Sequence, residues 1–171
     1  MLLGVLAAFT PAATLQKLSY EDMVLKSTEI VEGRVVASSS IVRGPVVYTV
    51  YRVQVNQKYK GTVGSEIQVA VPGGRYGNLV QDFSGSPSLV EGQNYLLFLW
   101  TSKSGLTQVI GLSQGLYRLK QGLSGEAIVS RPAATEAMLD SSGKFVEDTP
   151  VTMGYREMVE KIRRTLAVAK Q

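Results

Sequence analysis

The clearest pattern in this chain is an alternation of apolar and polar positions with a period of two, which begins near Glu29. Alternation of this kind predicts strands that bury one face. The longest strand follows a turn at Arg43-Gly44-Pro45. Its inward face carries Val47, Thr49, Tyr51, Val53 and Val55. Shorter strands are predicted around Val31–Ala37, Ile67–Val71, Leu106–Leu112, Leu116–Leu119 and, as an edge, Ala127–Ser130.

One segment breaks the alternation with six consecutive apolar or aromatic residues, from Tyr95 to Trp100. A short run of this kind between polar turns is typical of a strand that is buried on both faces. We therefore predict a strand here that is buried on both faces and expect Trp100 to belong to the core.

Two segments follow a helical pattern instead. Ser19 stands three residues before Asp22 and predicts the N-cap of a short helix over Tyr20–Lys26. Near the other end, Thr152 is the predicted cap of a second, amphipathic helix. The apolar stripe of that helix consists of Tyr155, Met158, Val159, Ile162 and Leu166.

These elements predict a mostly β (β+α) fold, in which five or six strands form a small OB-like barrel with a helix at each end. Closure into a barrel would hide the strand edges that an open sheet exposes. The barrel with its N-terminal helix is predicted to span residues 14–131. Residues 132–151 are poor in periodicity and predict a linker, and residues 152–171 predict the helix that packs on the barrel.

The N-terminus carries the pattern of an export signal. Leu2–Phe9 is apolar, and the small residues Ala12 and Ala13 end the segment as a signal peptidase prefers. Residues 1–13 therefore predict a signal peptide and a periplasmic or extracellular protein. A membrane span needs about 20 apolar residues, which this run does not supply. Because no basic residue precedes the run, an alternative is an apolar segment that joins copies of the chain into a homo-oligomer.

Composition excludes several kinds of chemistry. The 171 residues include no histidine and no cysteine, which argues against Ser-His-Asp hydrolases, zinc hydrolases, thiol nucleophiles and histidine-ligated haem. We expect no cofactor and no metal site. The net charge of +4 favours negatively charged partners only weakly.

A candidate ligand surface comes from aromatic and cationic residues on the predicted barrel. Tyr48 and Arg52 project from the outer face of the longest strand, and Arg75 with Tyr76 lies at the tip of a glycine-rich turn. OB domains hold sugars or single-stranded nucleic acid with such groups. Export argues against nucleic acid as the partner, so we expect a protein or a glycan.

Three functions remain open. The first is a non-enzymatic binding module, and the second is a structural subunit of an extracellular assembly that uses the apolar N-terminal segment for contacts. The third is a histidine-independent hydrolase, which would use either paired carboxylates or a serine at Ser84 or Ser86 activated by Lys60 or Lys103. The candidate carboxylates are Glu32, Glu66, Asp82 and Glu91.

The chain also resembles a group of uncharacterised exported bacterial proteins. The resemblance lies in Ala13–Leu15, Leu18–Val24, Gly33–Val35, Lys60-Gly61, Val71–Gly74, Tyr95–Leu99 and Gly111–Arg118. The order of its strands and turns is similar to the netrin-like domain of the tissue inhibitors of metalloproteinases. That resemblance implies an OB barrel. It does not imply protease inhibition, because this chain lacks the cysteines on which those inhibitors depend.

Overall fold

The computed structural model describes residues 14–169. Its helices are α1 (Tyr20–Lys26) and α2 (Tyr155–Val168). The strands are β1 (Leu15–Gln16), β2 (Glu29–Arg43), β3 (Val46–Lys60), β4 (Glu66–Pro72), β5 (Gly74–Tyr76), β6 (Leu79–Gln81), β7 (Asn94–Thr101), β8 (Thr107–Val109), β9 (Leu116–Gln121), β10 (Ala127–Arg131), β11 (Met138–Leu139), β12 (Phe145–Val146) and β13 (Val151–Gly154).

Within these residues the main sheet has eight strands. Seven follow the order β13-β10-β9-β7-β2-β3-β4, and β8 pairs with β7. All pairings in this sheet are antiparallel. Strands β5 and β6 form a separate hairpin, while β1 pairs with β11 and β11 with β12. The mostly β fold with two helices is confirmed.

Strand β7 separates two hydrophobic cores. Tyr95, Leu97 and Leu99 contribute to a core with valines of β2, β3 and β4. Leu96 and Phe98 point the other way and pack with residues of α1 and α2. Because successive side chains of a strand alternate between faces, burial of all five residues requires a layer on each side. The predicted strand buried on both faces is therefore confirmed.

The predicted closed barrel of five or six strands is wrong. The sheet is open, and β13, which begins at the last residue of the predicted linker and continues into the segment predicted as a helix, pairs with β10. Strand β10 is consequently not an edge. The sheet curls instead, so that Val69 and Val71 of β4 and Val109 of β8 share one core. This curl buries the concave face without closure of the hydrogen-bonded ladder.

Irregular pairing between β2 and β3 accompanies the curl. The register shifts between Glu32 and Gly33 and again between Val35 and Ala37. A Cβ atom at Gly33 would lie 2.5 Å from the carbonyl oxygen of Gln54, so only glycine fits there. Bulges of this kind bend a strand and increase its twist.

The two helices differ in how well their starts were predicted. Helix α1 has the predicted bounds, and the Ser19 hydroxyl accepts a hydrogen bond from the Asp22 amide. The predicted Thr152 cap is wrong. Thr152 belongs to β13, where it pairs with Ser130 of β10, and the N-cap of α2 is Gly154. The predicted apolar stripe is confirmed, because Met158 and Ile162 are fully buried in the helix-facing core.

Residues 132–151 carry more structure than a linker. They include β11 and β12, joined by a turn in which Asp140 Oδ1 accepts hydrogen bonds from the amides of Ser142 and Lys144. The predicted signal peptide, residues 1–13, lies outside the described residues. Neither described helix has the length and apolar character that a membrane crossing requires.

Candidate functional site

A cleft of about 590 Å³ lies on the concave side of the sheet, beside the valine-rich core. Its floor is formed by residues of β7, β9 and β10. The loop 85–88, which follows β6, forms one wall, and residues 132–136, which follow β10, form another. We call this the basic cleft, after its cationic lining residues Arg118, Lys120 and Arg131.

Strand β9 places two of these cations. Tyr117 and Leu119 face the helices in one core, so the alternating residues Arg118 and Lys120 face the cleft. Arg118 lies directly opposite Tyr95 on β7 and Ser130 on β10. Both cations are exposed, and neither has a described carboxylate within 4.0 Å.

The third cation, Arg131, is held by Asp148 in a buried ion pair. The guanidinium Nη1 and Nη2 donate to the two carboxylate oxygens at 2.5 and 3.2 Å. Burial raises the pKa of Asp148, but hydrogen bonds from Arg131 and from the Ala134 amide outweigh it and lower the pKa to about 2. The pair fixes the wall at residues 132–134 to the end of β10.

Asp148 neutralises the charge of Arg131, and the remaining lining residues still give the cleft a net positive charge. Arg118 and Lys120 stand against one lining carboxylate, Glu136, which accepts hydrogen bonds from Ser84 and Thr135. The cleft can therefore attract an anion, because a positive concave surface concentrates negative ligands.

Polar groups line the remainder of the cleft. They include the hydroxyls of Ser86, Ser88, Ser113, Ser130 and Thr135. Ser86 Oγ and Arg131 Nε are buried, and neither has a hydrogen-bond partner in the described structure. A buried polar atom without a partner costs roughly 1 to 3 kcal/mol and is often satisfied by water or a ligand.

The aromatic floor residue is not available for stacking. Tyr95 is buried, and its hydroxyl accepts a hydrogen bond from the Val90 amide at 2.9 Å. No other aromatic residue lines the cleft in the part of the chain that the structure describes. The arrangement therefore offers charge and hydroxyl groups rather than ring faces.

The residues predicted as the ligand surface lie elsewhere. Tyr48 and Arg52 are on one face of β3, and Arg52 forms an ion pair with Glu66 at 3.6 Å. Arg75 and Tyr76 are exposed on the β5–β6 hairpin, which Thr49 anchors through its bond to the Gly73 carbonyl. None of the four lines a cleft described here. They remain a second candidate surface.

The candidate catalytic carboxylates are also dispersed. Glu32 accepts a hydrogen bond from Tyr155, Glu66 pairs with Arg52, and Glu91 accepts one from Ser38. The basic cleft is lined by none of the four candidate carboxylates.

The serine and lysine candidates have other contacts. The Lys60 ammonium donates to the carbonyls of Val24 and Leu25 at 2.9 and 2.7 Å, at the C-terminal end of α1. The Ser84 hydroxyl donates to Glu136. Neither serine is hydrogen-bonded to a lysine within residues 14–169. These same residues contain no cluster of carboxylates that could hold a metal ion.

The expected core position of Trp100 is wrong. Trp100 is 44% exposed and lines an apolar groove of about 540 Å³ with Leu15, Leu18 and Ile110. The residue lies near the end of β7, beyond the part of the strand that α1 and α2 cover.

Comparison with protein-family models, curated proteins and solved structures finds no significant match to this chain. The assignment of a site consequently depends on geometry. Sequence reasoning missed the basic cleft, although one signal was present. Arg118 and Lys120 alternate with buried Tyr117 and partly buried Leu119, which marks two cations on one strand face. The position of that face depends on β10 and the loops, which the pattern does not give.

Proposed function

We propose that this chain is an exported, non-enzymatic binding module that holds its ligand in the basic cleft. The observation that carries the proposal is the pair of exposed cations, Arg118 and Lys120, on the floor of a concave polar site. A ligand site is typically a cleft with a few convergent polar groups, and this cleft has that form.

Two features favour this cleft over the β3 surface. Arg118 and Lys120 have no described acidic partner, whereas Arg52 on β3 is already paired with Glu66. The cleft is also concave, and the β3 residues line none of the clefts described here. A concave site can bury a larger fraction of a small ligand than a flat strand face can.

Blocking the cleft tests the proposal without a change of charge. Ser130→Trp introduces a large side chain opposite Arg118, and Ser104→Trp in the exposed turn after β7 is the matched control. Glycan and peptide arrays should identify ligands of the wild-type protein. Ser130→Trp should abolish their binding, and Ser104→Trp should leave it unchanged.

The β3 surface provides the competing outcome. Tyr48→Ala, Arg52→Ala and Arg75→Ala should leave array binding unchanged if the ligand occupies the cleft. Loss of binding in these variants, together with full binding by Ser130→Trp, would place the ligand on the surface around Tyr48, Arg52, Arg75 and Tyr76.

Export has its own test. We expect the protein, expressed with residues 1–13 in a bacterial host, to reach the periplasm or medium with a new N-terminus at Ala13 or Thr14. Mass spectrometry of the purified protein reads that terminus directly. An intact Met1 on cytoplasmic protein would contradict export.

The apolar groove at Trp100 favours a second candidate function, that of a subunit in an extracellular assembly. Its lining residues Leu15 and Leu18 follow closely after the apolar segment 1–13. A neighbouring copy could place such a segment in the groove. Sizing of the protein with and without residues 1–13 tests this, because assembly through the segment predicts an oligomer only for the longer form.

A further inference from the structure

The basic cleft combines three properties that narrow the chemistry of its occupant. It offers two cations at a fixed spacing, several hydroxyl groups and no exposed aromatic ring among its described lining residues. Each property favours one class of ligand over another, and together they favour an anion that also carries hydroxyl groups.

The spacing of the cations suits one compact anionic group. Arg118 and Lys120 are two residues apart on the same face of β9, so their Cα atoms are separated by about 7 Å. Both long side chains can reach a carboxylate held between them, and hydrogen bonds between ionised partners are roughly twice as strong as neutral ones.

The hydroxyl groups indicate what surrounds that anion. Ser130 lies opposite Arg118 across the strand pair, and Ser86, Ser88 and Thr135 stand on the walls. Hydroxyls both donate and accept hydrogen bonds, so they can pair with the hydroxyls of a sugar. The carboxylates of an acidic peptide can only accept hydrogen bonds from these groups, whereas the hydroxyls of a sugar ring can both donate to them and accept from them.

The buried position of Tyr95 argues against the other polyanions. Single-stranded nucleic acid is usually held by bases stacked on aromatic rings, and the described lining residues expose none. A neutral sugar would leave the two cations without a partner.

We propose that the basic cleft binds a sugar acid, which is a saccharide unit that carries a carboxylate. This inference rests on the proposed function. The carboxylate lies between Arg118 and Lys120, and the ring hydroxyls pair with the serines of the floor and walls. A volume of about 590 Å³ holds one or two such units, either free or at the end of a polysaccharide.

Calorimetric titration with matched probes tests this class of ligand. Galacturonate carries a carboxylate where galactose carries a hydroxymethyl group, so the pair isolates the charge. We expect galacturonate to bind at least about tenfold more tightly than galactose, and we expect added NaCl to weaken its binding. Trigalacturonate tells whether the natural ligand is a free sugar acid or the end of a polysaccharide. Tighter binding of this trisaccharide than of galacturonate indicates a polysaccharide end, and equal binding indicates a free sugar acid.

Charge removal supplies the matched variants. Arg118→Gln with Lys120→Gln should weaken galacturonate binding at least about tenfold, since two charge-assisted hydrogen bonds are lost. Arg163→Gln with Lys144→Gln removes the same net charge from two exposed residues outside the cleft and should leave binding unchanged. Thermal unfolding of each variant controls for folding.

Several results would overturn the proposal. These are equal binding of galactose and galacturonate, equal losses in the two double variants, and tighter binding of pentaglutamate than of trigalacturonate. Absence of heat with either acid at about 10 mM, where even a millimolar complex is mostly formed, would also overturn it.

Different results would contradict the sugar-acid assignment and the proposal that the cleft is the ligand site. If an array ligand is neutral and is blocked by Ser130→Trp but not by the Gln variants, the cleft binds ligands and only the sugar-acid assignment falls. If Ser130→Trp affects no binding, the cleft itself is the wrong site.

Discussion

At the scale of single residues, the ion pair of Arg131 with Asp148 holds the wall of the cleft. The side chains are 8% and 3% exposed, respectively. A buried pair of this kind is weak evidence for net stability, but removal of one partner leaves an uncompensated charge. Asp148 also accepts a hydrogen bond from the Ala134 amide, so it restrains the loop directly.

Asp148→Asn should lower the free energy of unfolding by about 3 to 5 kcal/mol, because Arg131 would keep a buried charge without a partner. Urea denaturation measures the change. Asp22→Asn is the matched control, since Asp22 pairs with Lys26 on the exposed side of α1 and should change stability by less than about 1 kcal/mol. Similar losses in both variants would contradict the role of the buried pair.

The ion pair of Arg131 with Asp148 also predicts how the stability of the fold depends on pH. The folded pKa of Asp148, about 2, lies below its usual value of 3.8, so its ionisation stabilises the fold above pH 4. That contribution, about 2 kcal/mol, is lost as the pH falls from 4 towards 2. The wild-type protein should therefore lose this advantage over Asp148→Asn within that interval. A stability difference that stays constant between pH 5 and pH 2 would be inconsistent with the lowered pKa.

A second residue, Tyr155, joins α2 to the sheet. Its hydroxyl donates to Glu32 on β2 at 2.5 Å and is hydrogen-bonded to the Tyr59 hydroxyl on β3. Burial, followed by these two hydrogen bonds, raises the pKa of Tyr155. The phenol is therefore neutral at physiological pH and can donate to the carboxylate.

Tyr155→Phe should reduce the free energy of unfolding by about 1 to 3 kcal/mol, because Glu32 and Tyr59 both lose a partner. Tyr76→Phe, at an exposed position on the β5–β6 hairpin, is the control and should have almost no effect. Chemical denaturation followed by fluorescence measures both variants. An effect no larger than that of the control would show that the hydroxyl does not hold the helix.

At the scale of elements, strand β7 is the part of the fold that the sequence predicted best. The apolar run predicted a strand with a layer on each side, and both layers are present around Tyr95–Leu99. Trp100 was misplaced because an apolar run does not reveal where the covering helices end.

Leu96→Ala and Leu97→Ala test the two layers separately. Each should destabilise the protein by about 2 to 5 kcal/mol, since each leaves a cavity in a different core. Trp100→Ala should cost less, because its side chain is 44% exposed. Thermal or urea unfolding compares the three. If the variant at Trp100 were the most damaging, the two-layer arrangement around β7 would be incorrect.

At the scale of the whole molecule, local patterns predicted the elements better than their assembly. The capping residue Ser19 fixed the start of α1, and alternation identified β3. Whether the sheet closes could not be predicted, because β13 pairs with β10 across the intervening residues 132–150, which have little periodicity. The cleft depends on the same long-range pairing, so its residues were visible only in the assembled fold.

The central claim, that the basic cleft is the ligand site, is tested most directly by an NMR titration of the ¹⁵N-labelled protein with trigalacturonate. We expect the shifted amides to cluster at residues 116–120, 128–131 and 132–136, because these segments form the floor and one wall. Amides at 46–54 and 74–76, on β3 and the hairpin, should remain in place. Shifts confined to β3 and the hairpin, with none in the cleft, would contradict the account.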